Sequence, residues 1–147
     1  MCATRAVNNA NPTEVPARQF PTIEFPYQVI LEYPRQNSVC GASIIAPLLL
    51  LTAAQCVWRK KPSELYAVAG ENKQLVPEGT EQTLRVRQII IHRNFTGSKY
   101  GERPLDNDIA ILVLTQPIKF NNYVKPIQIP HQQQILPGKI YRIMFAN

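Results

Sequence analysis

The sequence contains no apolar run near the roughly 20 residues that a membrane-spanning helix requires, and it has only two histidines, three cysteines and one tryptophan in 147 residues. Each shortage excludes something. Without such a run, nothing in these residues addresses the chain to a bilayer. The opening stretch "MCATRAVNNANP" also lacks the apolar centre of a secretory signal. His92 and His131 lie far apart, which argues against a histidine-based metal centre. Glycine is scarce, six against thirteen prolines, and no long stretch repeats apolar residues with a 3.6-residue period. That excludes a helical bundle and points to β-structure with many rigid turns.

One domain with a sizeable core is the expectation at this length. Sixteen Lys and Arg against ten Asp and Glu give a net charge of +6, a balance that favours acidic partners. The basic residues are scattered, however. Arg59-Lys60-Lys61 is the one compact run, and beside Pro62 it reads as a solvated turn.

Six strands are predicted: 27–33 "YQVILEY", 42–46 "ASIIA", 48–53 "LLLLTA", 64–70 "ELYAVAG", 83–91 "TLRVRQIII" and 109–114 "IAILVL". They suffice for a small closed barrel. Alternation of Leu84 and Val86 with Arg85 and Arg87 marks one buried and one wet face, whereas "LLLL" and "IAILVL" read as buried on both sides. Residues 1–25 read as an irregular arm and 26–118 as the barrel. Residues 119–138 read as an extended linker, and 139–147 as the opening of another strand. An apolar strand with nothing to pair with is an aggregation-prone edge, so a partner or further sequence is expected to cover it.

The stretch "CGASIIAPLLLLTAAQC", from Cys40 to Cys56, is similar to the trypsin-like (chymotrypsin-fold) serine proteases, whose Cys-Gly-Gly-Ser strand leads to Leu-Thr-Ala-Ala-His-Cys. "FPYQV" upstream and "LDNDIAILVL" downstream extend the match in the right order. The resemblance implies an all-β fold, the first of the family's two six-stranded antiparallel barrels, with the second essentially missing. It also implies the family's triad: a nucleophilic serine, a histidine that takes its proton and an aspartate that holds the imidazole. The aspartate falls on Asp108 and the histidine on Gln55, whose carboxamide neither accepts nor returns a proton. Serines occur only at 38, 43, 63 and 98, all before Asp108, so the nucleophile is expected to be absent. Losing either member of such a unit costs on the order of 10⁶ in kcat. The chain as written is therefore expected not to cleave peptides. A structural role, with Asp108 accepting hydrogen bonds from turn amides and from the Gln55 carboxamide, is the favoured reading of the pair.

The same resemblance pairs Cys40 with Cys56 in a disulfide, closing a loop of about 15 residues and contributing roughly 3 kcal/mol; two buried thiols are the alternative. A disulfide points to an extracellular setting, and Asn94-Phe95-Thr96 is an N-glycosylation sequon in a predicted loop. Cys2 is then left free or pairs with another chain. "GENKQLVPEGTEQ" resembles the family's calcium loop, implying carboxylates from Glu71, Glu78 and Glu81 and carbonyls from Lys73 and Val76. The Lys73 ammonium opposes a cation there, and the reading without metal is favoured; no cofactor is required. "RAVNN", from Arg5, resembles a degraded activation junction.

Three functions follow. The first is an inactive protease homologue that binds protein partners in an extracellular proteolytic cascade. The second is a piece of a larger secreted serine endopeptidase. The third, with least support in the sequence, is a polyanion-binding barrel, which requires Lys and Arg to collect on one face; nucleic acid and membrane are not expected partners.

Overall fold

The computed structural model describes residues 3–4, 25–34, 38–71, 79–97 and 106–129. Seven strands appear: β1 (Ala3–Thr4), β2 (Gln28–Tyr33), β3 (Ser38–Ala46), β4 (Leu49–Thr52), β5 (Tyr66–Ala69), β6 (Gln82–Ile91) and β7 (Ala110–Leu114). A single helical turn, α1 (Ala54–Val57), and a 3₁₀ turn, η1 (Pro62–Glu64), lie between β4 and β5. Every pairing is antiparallel, in the order β1-β3-β2-β5-β6-β7-β4, and β3 also pairs with β4. That last pairing closes β2 to β7 into a six-stranded barrel, as the sequence predicts. Closure leaves no unpaired edge among the six strands.

Side-chain alternation decides which face turns inward. Val29, Leu31 and Tyr33 of β2, Leu84 and Val86 of β6, and Leu112 and Leu114 of β7 are buried in one cluster with Ile44, Leu50 and Leu65. Each such residue stabilises the barrel by about 1.5–3 kcal/mol through loss of apolar surface to water. β4 departs from the expectation of burial on both sides: Leu50 is fully buried, but Leu49 and Leu51 are half-buried. The outer wall of a small barrel is only partly covered, and this strand lies on it. In β7 the expectation is met more closely, since Val113 is buried as well.

Two polar groups enter the core with partners. The Thr52 hydroxyl donates to the Gly41 carbonyl at 2.7 Å, and the Tyr33 hydroxyl to the Cys56 carbonyl at 2.8 Å. Among the described residues no buried side-chain nitrogen or oxygen lacks a partner, consistent with the cost of leaving one unsatisfied. At the end of β5 the chain turns through Gly70 at φ +79°, where a Cβ would collide with the Thr80 carbonyl and the Val124 side chain. Glycine is therefore required there.

The described part of the 119–138 run is tied to the barrel at several points. Ile118 and Val124 are buried, the Lys125 amide donates to the Pro26 carbonyl, and the Ile127 amide donates to the Ile44 carbonyl, both at 2.8 Å. Gln82 exchanges two hydrogen bonds with the Lys119 backbone, and the Asn121 carboxamide oxygen accepts from the Tyr123 and Val124 amides. The extended conformation is held by these side-chain partners in place of a ladder. Of the 1–25 arm, Ala3–Thr4 pairs with Val39 and Ser38 of β3, and Phe25 is buried. The 139–147 strand prediction lies outside the described residues.

Candidate active site

Antiparallel pairing of β4 with β7 places Thr52 opposite Ala110. The chain leaving β4 and the chain entering β7 therefore meet at the same corner of the barrel. Leaving β4, Ala53 stays extended and α1 begins at once. The first amides of a helix have no partner within it, and Ala53 offers no side chain to cap them. Asp108, 53 residues on, does so: the Gln55 backbone amide donates to Asp108 Oδ1 at 2.7 Å. A carboxylate at the amino end of a helical turn is favoured by both the hydrogen bond and the local dipole.

The carboxylate is itself held in place. Asn107 takes up a left-handed conformation, φ +55°, which asparagine tolerates better than most residues. Its Nδ2 donates to the Asn94 carbonyl at 3.0 Å. The Ile109 amide donates to the Asn107 carbonyl at 2.8 Å, and the His92 amide donates to the Ile109 carbonyl at 3.0 Å. The turn carrying Asp108 is thus tied to the turn that follows β6. Asp108 is half-buried, while Gln55 is exposed.

The structure brings Gln55 and Asp108 together, as the sequence reading requires, with one difference. The donor is the Gln55 main chain, where the carboxamide had been expected to contribute as well. In the first turn of α1 the side chain projects to solvent, whereas the amide N–H faces back toward the strand ends. What this corner presents beside a fixed carboxylate is a glutamine, a side chain with no titrating proton near neutral pH.

Cys40 and Cys56 form a disulfide across 16 residues, with Cα atoms 6.1 Å apart and both residues buried. It joins β3 to α1 at the residue that follows Gln55. Trp58, just past the helical turn, packs edge-on against Phe95, ring centroids 6.2 Å apart, and against Gly97. The corner is therefore braced from three sides.

The remaining predicted residues are dispersed. His92 is exposed, and its Nδ1 accepts the Asn94 amide at 3.3 Å, a turn contact. Asn94 and Thr96 of the sequon are both exposed. Of the proposed calcium ligands, Glu71 and Glu81 are half-buried at the two ends of their loop, and Glu81 Oε2 accepts the Gly79 amide at 2.8 Å. Lys73, Val76 and Glu78 lie outside the described residues, as do Cys2, Arg5, Ser98 and His131. Among the described residues no three His, Cys, Asp or Glu side chains gather as a metal site, and no helix is long and apolar enough to cross a membrane. The latch of Asn107 on the Asn94 carbonyl was not foreseen. Its one local signal was an asparagine between two aspartates, a composition that favours turns.

The trypsin family model matches residues 15–144. Trypsin-1 of Astacus astacus is 40% identical over 123 residues, covering 80% of this chain and 50% of that protein. Coagulation factor IX of Cavia porcellus is 37% identical over 112 residues, 75% of this chain and 36% of that one. Ovochymase-2 of Mus musculus is 35% identical over 122 residues, 82% and 18% respectively. The chain spans half or less of the length of these relatives. With a closed antiparallel barrel, a disulfide at its corner and a match over most of its residues, the chain belongs to the trypsin-like serine endopeptidase family.

Proposed function

We propose that this chain is a non-catalytic member of its family, whose barrel serves as a protein-binding module in an extracellular proteolytic cascade. One observation carries the reading: the residue whose backbone amide Asp108 holds at the start of α1 is a glutamine, Gln55. A carboxamide there cannot relay a proton between a hydroxyl and a leaving amine. The serines at 38, 43 and 63 belong to β3 and η1. Asp108 then acts as the cap of α1 and keeps the corner in shape.

An extracellular setting is supported by the Cys40–Cys56 disulfide and by the exposure of Asn94 and Thr96, which suits a glycan. The reading is tested by incubating the purified chain with a fluorophosphonate serine probe and a chromogenic peptide. No label and no hydrolysis are expected, and stoichiometric labelling of one serine would overturn it. Gln55→His is expected to leave both results unchanged.

A second reading is favoured by the share of its relatives that the chain spans, 50%, 36% and 18%. In it, this barrel is one part of a longer serine endopeptidase. Sequencing the transcript past Asn147 distinguishes the two: an in-frame Gly-Asp-Ser-Gly supports the longer protein, and a stop codon supports the single barrel. Calcium binding at Glu71, Lys73, Val76, Glu78 and Glu81 is independent of both readings and is not required by either; calorimetry with the metal alone tests it.

A further inference from the structure

Two groups of basic residues, separate in sequence, lie on and beside two elements that pack together, η1 and β6. β5 begins at Tyr66, which pairs with Arg85, and β6 runs on past that pair to Ile91. Along that extension η1 packs against β6, and Lys61 is the residue immediately before η1. Arg85 and Arg87 are on the outward face, since Leu84 and Val86 between and beside them are buried. Arg59, Lys60 and Lys61 therefore lead directly into the turn that packs on the strand carrying Arg85 and Arg87. The acidic side chains here are Glu64 of η1 and Glu32, the cross-strand neighbour of Tyr66.

Three of these cations are also held in place. The Arg59 guanidinium lies 4.3 Å from the centre of the Trp58 ring, the Lys60 ammonium 5.0 Å from that of Tyr33, and the Arg85 guanidinium 5.5 Å from that of Tyr66. Arg59 takes a left-handed conformation, φ +58°, to reach its position, an arrangement that bulky residues seldom adopt. Attraction between a cation and an aromatic face orders the long side chain before any ligand arrives.

We propose that this wall, from Arg59 to Lys61 and across to Arg85 and Arg87, binds a sulfated polysaccharide of the heparin type. A chain of closely spaced sulfates matches a set of cations of which three are held over aromatic rings. It gains by releasing its condensed counterions, as any linear polyanion does on neutralisation. Nucleic acid fits less well, because single-stranded bases need open aromatic faces for stacking, and here the faces of Trp58, Tyr33 and Tyr66 carry the protein's own cations. The disulfide places the chain where such polysaccharides occur.

The test uses the full 147-residue chain and a size-defined heparin oligosaccharide, with affinity measured across a salt series. A linear fall of log K with log salt is expected. The double variant Lys61→Gln/Arg87→Gln, at two exposed positions, should weaken binding on the order of tenfold or more and reduce the slope by roughly one to two. Lys119→Gln/Lys125→Gln removes the same charge from the segment after β7 and should change affinity by less than about twofold. A second pair, Arg59→Gln/Arg85→Gln, should repeat the first result, with near-ultraviolet circular dichroism checking that each variant is folded. Equal losses in all three pairs would reduce the effect to net charge and overturn the assignment. So would absence of binding at low salt, or equal affinity for a single-stranded oligonucleotide of matched charge.

Discussion

Asp108 and Glu81 are both half-buried carboxylates that accept a main-chain amide at close to the same distance, 2.7 Å and 2.8 Å. They are built in opposite ways. Glu81 reaches back two residues to Gly79, a contact that a short peptide could form. Asp108 reaches across 53 residues to Gln55, and it does so only because β4 pairs with β7, α1 follows β4 without delay, and Asn107 ties the turn to Asn94. A contact made by the whole barrel reports on the whole barrel. A contact made locally reports on little beyond its own turn.

The largest break in this comparison comes from the disulfide beneath α1. Replacing both Cys40 and Cys56 by serine should lower stability by about 3 kcal/mol, the value for a loop of this length, seen as a shift in the urea midpoint. It should also loosen the Asp108 corner more than the Glu81 turn. Amide hydrogen exchange at Gln55 should accelerate by a larger factor than at Gly79. Equal acceleration at the two sites would mean that the bridge braces the barrel as a whole, with no preference for its corner.

Asp108→Ala separates the two carboxylates directly. Loss of a cap of this kind typically costs about 1 kcal/mol, and the Gln55 amide should lose its protection. Glu81→Gln is expected to fall within about 0.5 kcal/mol, as surface substitutions away from the core do. If Glu81→Gln proved as costly as Asp108→Ala, its loop would be doing more for the fold than a local turn can.

The same contrast explains what could be read from the residues alone. Of the barrel strands, β2 and β6 were legible because period-two alternation in "YQVILEY" and "TLRVRQIII" is forced by one face being dry, whereas "LLLL" and "IAILVL" were legible as short apolar runs. β3 starts four residues before its prediction, at Ser38, because no alternation is visible around Cys40-Gly41. The helical turn at Ala54–Val57 was hidden by its length, since four residues are too few to show a 3.6-residue period. Val124 carries no pattern either, a lone core residue among polar neighbours. At the corner, the meeting of Gln55 with Asp108 followed from resemblance, but the choice of the main-chain donor depends on how α1 projects its side chains. The link between Arg59-Lys60-Lys61 and the strand carrying Arg85 and Arg87 was invisible for the same reason, since it depends on η1 packing against β6.

The smallest effect is the most pointed. Because the Asp108 bond uses the Gln55 amide, the identity of the side chain should hardly matter to the fold: Gln55→Ala and Gln55→His should each stay within about 0.5 kcal/mol of the parent. Protection of the amide against hydrogen exchange should persist in both. A loss near that of Asp108→Ala would place the carboxamide in the contact after all, and the glutamine would then be a structural replacement for an imidazole. Neutrality has the opposite meaning. The corner would tolerate any side chain at this position, and the residue found there would be free of structural selection, so that its chemistry alone decides what the corner can do.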